Sequence, residues 1–166
     1  MSASDLERVL KIAGNLRQAP QWPASAYLKA LDCENAPRRI ALVAAEAESN
    51  TLAGFLVARV LGPEAELETI AVAAEGQRQG VGGRLLRALV EELRTERVSE
   101  LILEVRDSND AALVFYRAHG FEETGRRFRY YADPEEDAIL MRLRMESGIW
   151  GGGNRVGSKE QGCGSA

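Results

Sequence analysis

The residues Gly76-Gln77-Arg78-Gln79-Gly80-Val81-Gly82-Gly83 have the composition of an anion seat. They follow the apolar run Leu67-Glu68-Thr69-Ile70-Ala71-Val72 and open a strongly amphipathic stretch. A loop that enters a helix leaves the N–H groups of the first turn unpaired and pointing outward, where they favour negative charge. Glycine at Gly80, Gly82 and Gly83 lets an anion approach the backbone without meeting a Cβ. Two familiar phosphate loops fail on spacing. A Walker loop ends in Gly-Lys-Ser/Thr, and no lysine stands here. A dinucleotide fingerprint needs a third glycine where this chain has Leu85. What remains is Gln-x-x-Gly-x-Gly, from Gln77 to Gly82. On the loop alone two readings stay open, a phosphate seat or a tight strand-to-helix connection with no ligand.

Such a loop needs a strand before it and a helix after it, and the surrounding pattern supplies both. Leu67 to Val72 reads as a strand, and Val81, Leu85, Leu86, Leu89, Val90 and Leu93 form one apolar stripe of a helix running to about Arg97. Ser99 to Arg106 is a further strand. Asp107-Ser108-Asn109-Asp110 then offers N-cap residues for a helix to His119, with Gly120 as its stop. Upstream, Leu6, Val9, Leu10, Ala13 and Leu16 recur at helical spacing between Ser4 and Gln18, with Ser4 and Glu7 set as cap and box. Ala19-Pro20-Gln21-Trp22-Pro23 breaks the chain before a short helix from Ser25 to Leu31. Arg39 to Ala45 and Leu52 to Leu61 read as strands around a turn at 46–50, and Phe121 to Tyr131 and Asp137 to Met145 as a closing pair. The order predicts one mixed α/β domain over residues 1–146. The glycine-rich segment 147–166 buries too little apolar surface to offset its ordering entropy, so it is expected to be a disordered tail.

Composition narrows the function classes. The chain of 166 residues is 45% hydrophobic and 28% charged, the profile of one soluble globular domain. Its formal net charge of −4 argues against a global grip on nucleic acid. Eighteen arginines stand against three lysines, Lys11, Lys29 and Lys159. Cys33 and Cys163 sit at opposite ends and form neither a disulfide framework nor a metal spacing. His119 is the single histidine, which excludes a multi-histidine metal site. No apolar run is long enough to span a membrane and the polar start is not a signal peptide, so a cytoplasmic protein is expected.

Several segments now combine. Leu67-Glu68-Thr69-Ile70-Ala71-Val72, Gln77-Arg78-Gln79-Gly80-Val81-Gly82, Leu103-Glu104-Val105-Arg106, Ser108-Asn109 and Tyr116-Arg117-Ala118-His119-Gly120-Phe121 occur in the order of the GNAT superfamily of acyl-CoA-dependent N-acetyltransferases, which the chain resembles. Arg129-Tyr130-Tyr131 and Glu136-Asp137-Ala138 resemble its RimI branch, the ribosomal-protein-alanine N-acetyltransferases. The resemblance runs from about Glu68 to Leu143.

That resemblance implies a mixed, mostly antiparallel central sheet flanked by helices, with two central strands splayed apart. It implies acetyl-CoA as co-substrate, without a metal. It also implies a protein N-terminus as acceptor, the N-terminal alanine of a small-subunit ribosomal protein, with no membrane or direct nucleic-acid partner. A monomer or weak oligomer is expected. The alternatives are an acetyltransferase for lysine or a small amine, and a non-catalytic acyl-CoA-binding module. The superfamily opens with a strand before its first helix, whereas here the helical pattern starts almost at Met1. Either the start is late or the first edge strand is missing, and an exposed sheet edge with lowered stability is expected.

The implied site is specific. The loop residues Gln77, Arg78, Gln79, Gly80, Val81, Gly82 and Gly83 would cradle the pyrophosphate, and the backbone of Ile70, Ala71 and Val72 would hold the acetyl-pantetheine arm. The N–H of Val72 is the candidate donor to the oxyanion, and Asn109 would touch the cofactor. Glu104 lies inside the apolar strand Leu101 to Val105, facing away from Leu103 and Val105. On pattern alone it is a solvent-facing or arginine-paired strand residue; the resemblance makes it the proton acceptor, its pKa raised by apolar burial. Tyr116, two helical turns after Asn109, reads as a core aromatic; the resemblance makes it the proton donor to the leaving thiolate and a cofactor contact. Trp22, Glu68, Tyr130 and Tyr131 would wall the acceptor groove, although Trp22 reads equally as a hydrophobic plug. Arg126, Arg127 and Arg129 are expected to solvate a strand edge rather than attract an acidic partner. His119 is read as structural.

Overall fold

The computed structural model describes residues 1–16, 21–32, 36–46 and 51–145. Cys33, Cys163, Pro20 of the expected break, the turn at 47–50 and the glycine-rich segment lie outside the described residues. The chain enters through a short 3-10 turn, Ala3–Asp5, where the N–H and Oγ of Ser2 both bond Asp5 Oδ2 at 2.8 Å. The start signal is therefore Ser2 and Asp5 rather than Ser4 and Glu7. Helix α1 (Leu6–Gly14) and α2 (Ala24–Ala30) follow, then β1 (Arg39–Ala45), β2 (Leu52–Leu61) and β3 (Glu64–Val72). Helix α3 (Val81–Thr95), β4 (Glu100–Arg106), α4 (Asp110–Ala118), β5 (Glu122–Ala132) and β6 (Glu135–Arg144) complete the order.

The six strands form one sheet in the order β1-β2-β3-β4-β6-β5, parallel only between β3 and β4. On one face α3 buries Val81, Leu85, Leu86, Leu89, Val90 and Leu93, and α4 adds Leu113 and Tyr116, against Leu101, Leu103, Val105, Ile139 and Met141. Each such aliphatic side chain contributes about 1.5–3 kcal/mol on burial. The α3 stripe therefore anchors the loop at its N-terminus on a rigid support. On the other face α1 and α2 bring Val9, Ile12, Ala13 and Tyr27 onto Leu52, Phe55 and Ala71 of β2 and β3. Strand β1 is one edge of the sheet, and the amino group of Met1 donates to its Ala41 carbonyl at 3.0 Å.

Two irregularities position the site. Along β2 and β3 the register slips so that Leu67 faces Ala58 while Thr69 faces Val57, leaving Glu68 as an extra residue in a bulge. Before the bulge Leu67 packs toward α3; after it Ala71 packs toward α1 and α2. The second is a splay. Strands β3 and β4 pair only from Glu64↔Glu100 to Glu66↔Ile102, although β3 stays on β2 as far as Gly54↔Val72 and β4 stays on β6 as far as Arg106↔Ala138. A gap opens between the two central strands beyond Glu66. Among the described residues, no helix is long and apolar enough to cross a membrane.

Candidate active site

The gap exposes main chain of a definite parity. Ala73 N–H donates to Ala53 O at 2.9 Å, so the alternation of an antiparallel ladder turns Thr69, Ala71 and Ala73 toward β2. The N–H and C=O groups of Ile70 and Val72 therefore point into the gap, and of the three expected backbone contacts Ala71 is turned away. Val72 O accepts from Gln77 Nε2 at 3.3 Å, which ties the loop to the end of the strand.

The loop is held by its own side chains. Gln79 Nε2 donates to Glu75 O at 2.7 Å, and Arg84 Nη1 donates to Gln79 O at 3.0 Å. Gly80 caps α3 with φ +74°, a left-handed conformation that favours glycine. Arg78, also at positive φ (59°), is exposed beside it. The side chain of Val81 is buried, so only its N–H is available to a ligand. Gly82 and Gly83 have a reason that the sequence reading missed. A Cβ on Gly82 would stand 3.3 Å from the Phe115 ring, and one on Gly83 would stand 2.9 Å from His119 Nε2. Their small size lets α4 close against α3, while the N–H groups of that turn stay free of the helix ladder. The arrangement fits the diphosphate of an acyl-CoA: a glycine-capped helix start with exposed arginine and glutamine beside it, next to outward-facing strand amides.

Across the gap, on the face opposite α3, stands Glu104. Counted on from Glu66↔Ile102, Glu68 is level with Glu104 and Ile70 with Arg106. Glu104 is not enclosed by apolar side chains. Its Oε1 lies 2.9 Å from Arg127 Nη1, and the hydroxyl of Tyr130 donates to it. That bond, with burial and the carboxylate's charge, pushes the Tyr130 phenol up. Tyr131 packs edge-on to Tyr130 at 5.1 Å, and the Arg106 guanidinium lies 4.0 Å from its ring centre. Burial, more than the counteracting Arg106, also raises Tyr131, and the charge of Glu104 adds to it.

Tyr116 stands on α4. It is 7% exposed, packed on Phe115 and Phe121. Burial, with a smaller contribution from nearby Tyr131, pushes its phenol well above the ordinary tyrosine value. Glu104, Tyr130 and Tyr131 thus form one group of neighbours, while Tyr116 is buried in the core on the α3 face.

Other expected residues are engaged differently. Glu68 is held by Arg39 through bonds of 2.7 and 3.1 Å, with Arg59 Nε at 3.8 Å. Asn109 caps α4, its Oδ1 accepting from Ala112 N–H at 3.1 Å. Trp22 is half-buried against Tyr27 at 5.3 Å, as a plug on the α1–α2 core. The arginines of β5 do not simply solvate an edge. Arg126 bonds Asp107 at 2.8 Å and Asp137 at 3.2 Å, Arg127 holds Glu104, and Arg129 lies 3.4 Å from Glu135. Arg106 was not singled out from the sequence as a site residue. It bonds Glu136 and the carbonyl of Asp133 at 3.1 Å, fastening the β5–β6 turn to the end of β4. Among the described residues, no cluster of three His, Cys, Asp or Glu could hold a metal ion.

Residues 7–121 match the acetyltransferase (GNAT) family. The ribosomal protein bS18-alanine N-acetyltransferase of Escherichia coli K12 is 44% identical over 98 residues, 58% of this chain and 66% of that protein. The N-alpha-acetyltransferase RimI of Mycobacterium tuberculosis is 43% identical over 96 residues, 55% of this chain and 59% of that protein. The matches thus span under two thirds of these relatives. The crystal structure of the ribosomal-protein-S18-alanine N-acetyltransferase from Escherichia coli superposes with a TM-score of 0.74 at 32% identity, covering 90% of this chain and 94% of that one.

Proposed function

The chain belongs to the GNAT family of acetyltransferases, and from that premise we propose that it transfers the acetyl group of acetyl-CoA to a protein N-terminal α-amino group, with the N-terminal alanine of ribosomal protein bS18 as acceptor. The single observation that carries the reading is the parting of β3 and β4 beyond Glu66↔Ile102, with the glycine loop at one end and Glu104 level with the opening. Relatives at 44% and 43% identity named for N-terminal acetylation support the acceptor class.

Acetyl-CoA supplies a thioester carbonyl that an amine can attack. The chain's residues do the rest. The loop N–H groups and Arg78 bind and orient the diphosphate, and Ile70 and Val72 align the arm along β3. The Val72 N–H donates to the carbonyl oxygen as charge develops on it. Glu104 takes a proton from the acceptor ammonium. A peptide α-amine has a pKa of about 7.7–8.0, so this base has little to overcome near neutrality. Tyr116 gives its phenolic proton to the departing sulfur. A phenol near 10 is a weaker acid than a thiol near 8.5, and burial weakens it further. The hand-off is therefore uphill on its own and proceeds together with carbon–sulfur cleavage.

The test is mass spectrometry of peptides incubated with the protein and acetyl-CoA, alongside measurement of released coenzyme A. A bS18 N-terminal peptide gains one acetyl group at its α-amine, and the same peptide blocked there gains none. Acetylation of lysine side chains or polyamines instead would overturn the acceptor assignment. Binding of acetyl-CoA with no thiol released by any amine would overturn the enzymatic one.

A further inference from the structure

Thr69 is buried, at 4% exposure, and its Oγ1, like the Tyr27 hydroxyl and Arg59 Nε, has no hydrogen-bond partner among the described residues. A buried hydroxyl left unpaired costs stability, and valine would match its shape in a strand without that cost. Nothing in the packing requires the oxygen, so its position bears on use. Thr69 follows the bulged Glu68, and its main chain is turned toward β2. Its side chain shares a face with Val57, away from α3, as does Glu104 on β4. In the parallel register it stands one residue past the level of Glu104, where β3 and β4 have already parted. The bulge is what aims it there; without the extra residue Thr69 would fall on the α3 face with Leu67.

We propose that the Thr69 hydroxyl is a positioning residue for the acceptor, accepting a hydrogen bond from the incoming amine or from the water that carries its proton to Glu104. The inference rests on the acetyl-transfer reading and goes beyond it. The hydroxyl gains and loses no atom: the proton passes from the ammonium to the carboxylate, and Oγ1 fixes the direction of the nitrogen lone pair. Its location on the Glu104 face, opposite α3 and the glycine loop, assigns it to the acceptor rather than to the coenzyme.

The experiment compares Thr69→Val and Thr69→Ser in the full chain, using a bS18 N-terminal peptide at saturating acetyl-CoA. Valine is expected to lower kcat/KM for the peptide about tenfold or more, the equivalent of one lost hydrogen bond. The KM for acetyl-CoA stays unchanged and the melting temperature is equal or higher. Serine restores most of the rate. Wild-type acceptor kinetics in the valine variant overturn the proposal, as does a loss that follows acetyl-CoA affinity or melting temperature. Should the wild-type chain acetylate no amine, the functional reading fails separately, and a high-resolution crystal structure still decides Thr69. An ordered water or ligand atom within hydrogen-bond distance of Oγ1 supports it; a dry hydroxyl, or one bonded to the protein, overturns it.

Discussion

Arg127 Nη1 on β5 lies 2.9 Å from Glu104 Oε1 on β4, so the carboxylate proposed to accept the amine's proton is paired with a guanidinium from the β5–β6 hairpin. Arg127 is half-exposed, which keeps the pair weak as a stabiliser and leaves it to orient the group. Its ring-side neighbour is Tyr130, 5.4 Å away, which donates to the same carboxylate.

Replacing that carboxylate separates base catalysis from binding. Glu104→Gln is expected to lower kcat about tenfold at pH 7, where roughly a tenth of an α-amine with a pKa of about 7.7–8.0 is already free. The deficit narrows toward pH 9, because the free α-amine, with a pKa of about 7.7–8.0, then needs no base. Acetyl-CoA affinity stays unchanged. A rate deficit constant across pH 6–9 in stopped assays of coenzyme A release would refute the assignment of Glu104.

Tyr116 makes a prediction about stability as well as rate. Tyr116→Phe is expected to lower kcat by roughly 10- to 100-fold without weakening acetyl-CoA binding. The sign of the stability effect follows from its raised phenol. Above about pH 10 the unfolded chain sheds the proton that the folded chain still holds, so stability falls as pH rises from there. The phenylalanine variant should lose less stability between pH 9 and pH 11 than the wild type. Urea denaturation at those two pH values checks it, and equal losses would contradict the burial of a protonated phenol.

The hairpin clasp predicts an acceptor effect at a distance from the reacting atoms. Arg106 bonds Glu136 and the Asp133 carbonyl while lying over Tyr131, and Glu136 also accepts from the Ser108 N–H. The Ser108 bonds first, then Arg106, hold the Glu136 carboxyl below its usual 4.5. This group therefore contributes stability above that value and loses it as pH falls through its lower folded value. Arg106→Ala is expected to raise the acceptor KM several-fold at unchanged acetyl-CoA KM, and Glu136→Gln to flatten the melting temperature below pH 4.5. A matching rise in the acetyl-CoA KM would show that the clasp serves the whole fold instead.

Local pattern made the outer elements readable, because β1 and β2 each carry runs of apolar strand formers between turn residues, and their observed bounds match the reading. Strand β3 begins three residues earlier than its apolar run, since Glu64-Ala65-Glu66 looks polar in isolation yet pairs with β4 and is matched by Arg59, 2.5 Å from Glu66. The glycine loop was legible for the same local reason, as glycine spacing between a strand and a helix. The surroundings of Glu104 were not. Arg127 is distant along the chain and reaches it only through the pairing of β4, β6 and β5, and the bulge that turns Thr69 to the face away from α3 leaves no mark on residue type.

The last prediction separates the two reasons for glycine in the loop. Gly83 faces His119, whose Nδ1–H donates to the Phe115 carbonyl at 2.8 Å and whose Nε2 would meet an added Cβ at 2.9 Å. That carbonyl can only accept, so the ring is fixed in place and cannot easily yield. Gly83→Ala should therefore destabilise the fold by about 1–3 kcal/mol through overpacking. If packing is the reason for the glycine, His119→Ala in the same chain opens the space and recovers most of that loss, giving a clear coupling energy in a double-mutant cycle of denaturant unfolding. If the glycine serves only the approach of the diphosphate, the two substitutions add independently. Acetyl-CoA affinity then falls in the double variant as far as in Gly83→Ala alone, while unfolding free energy shows no coupling.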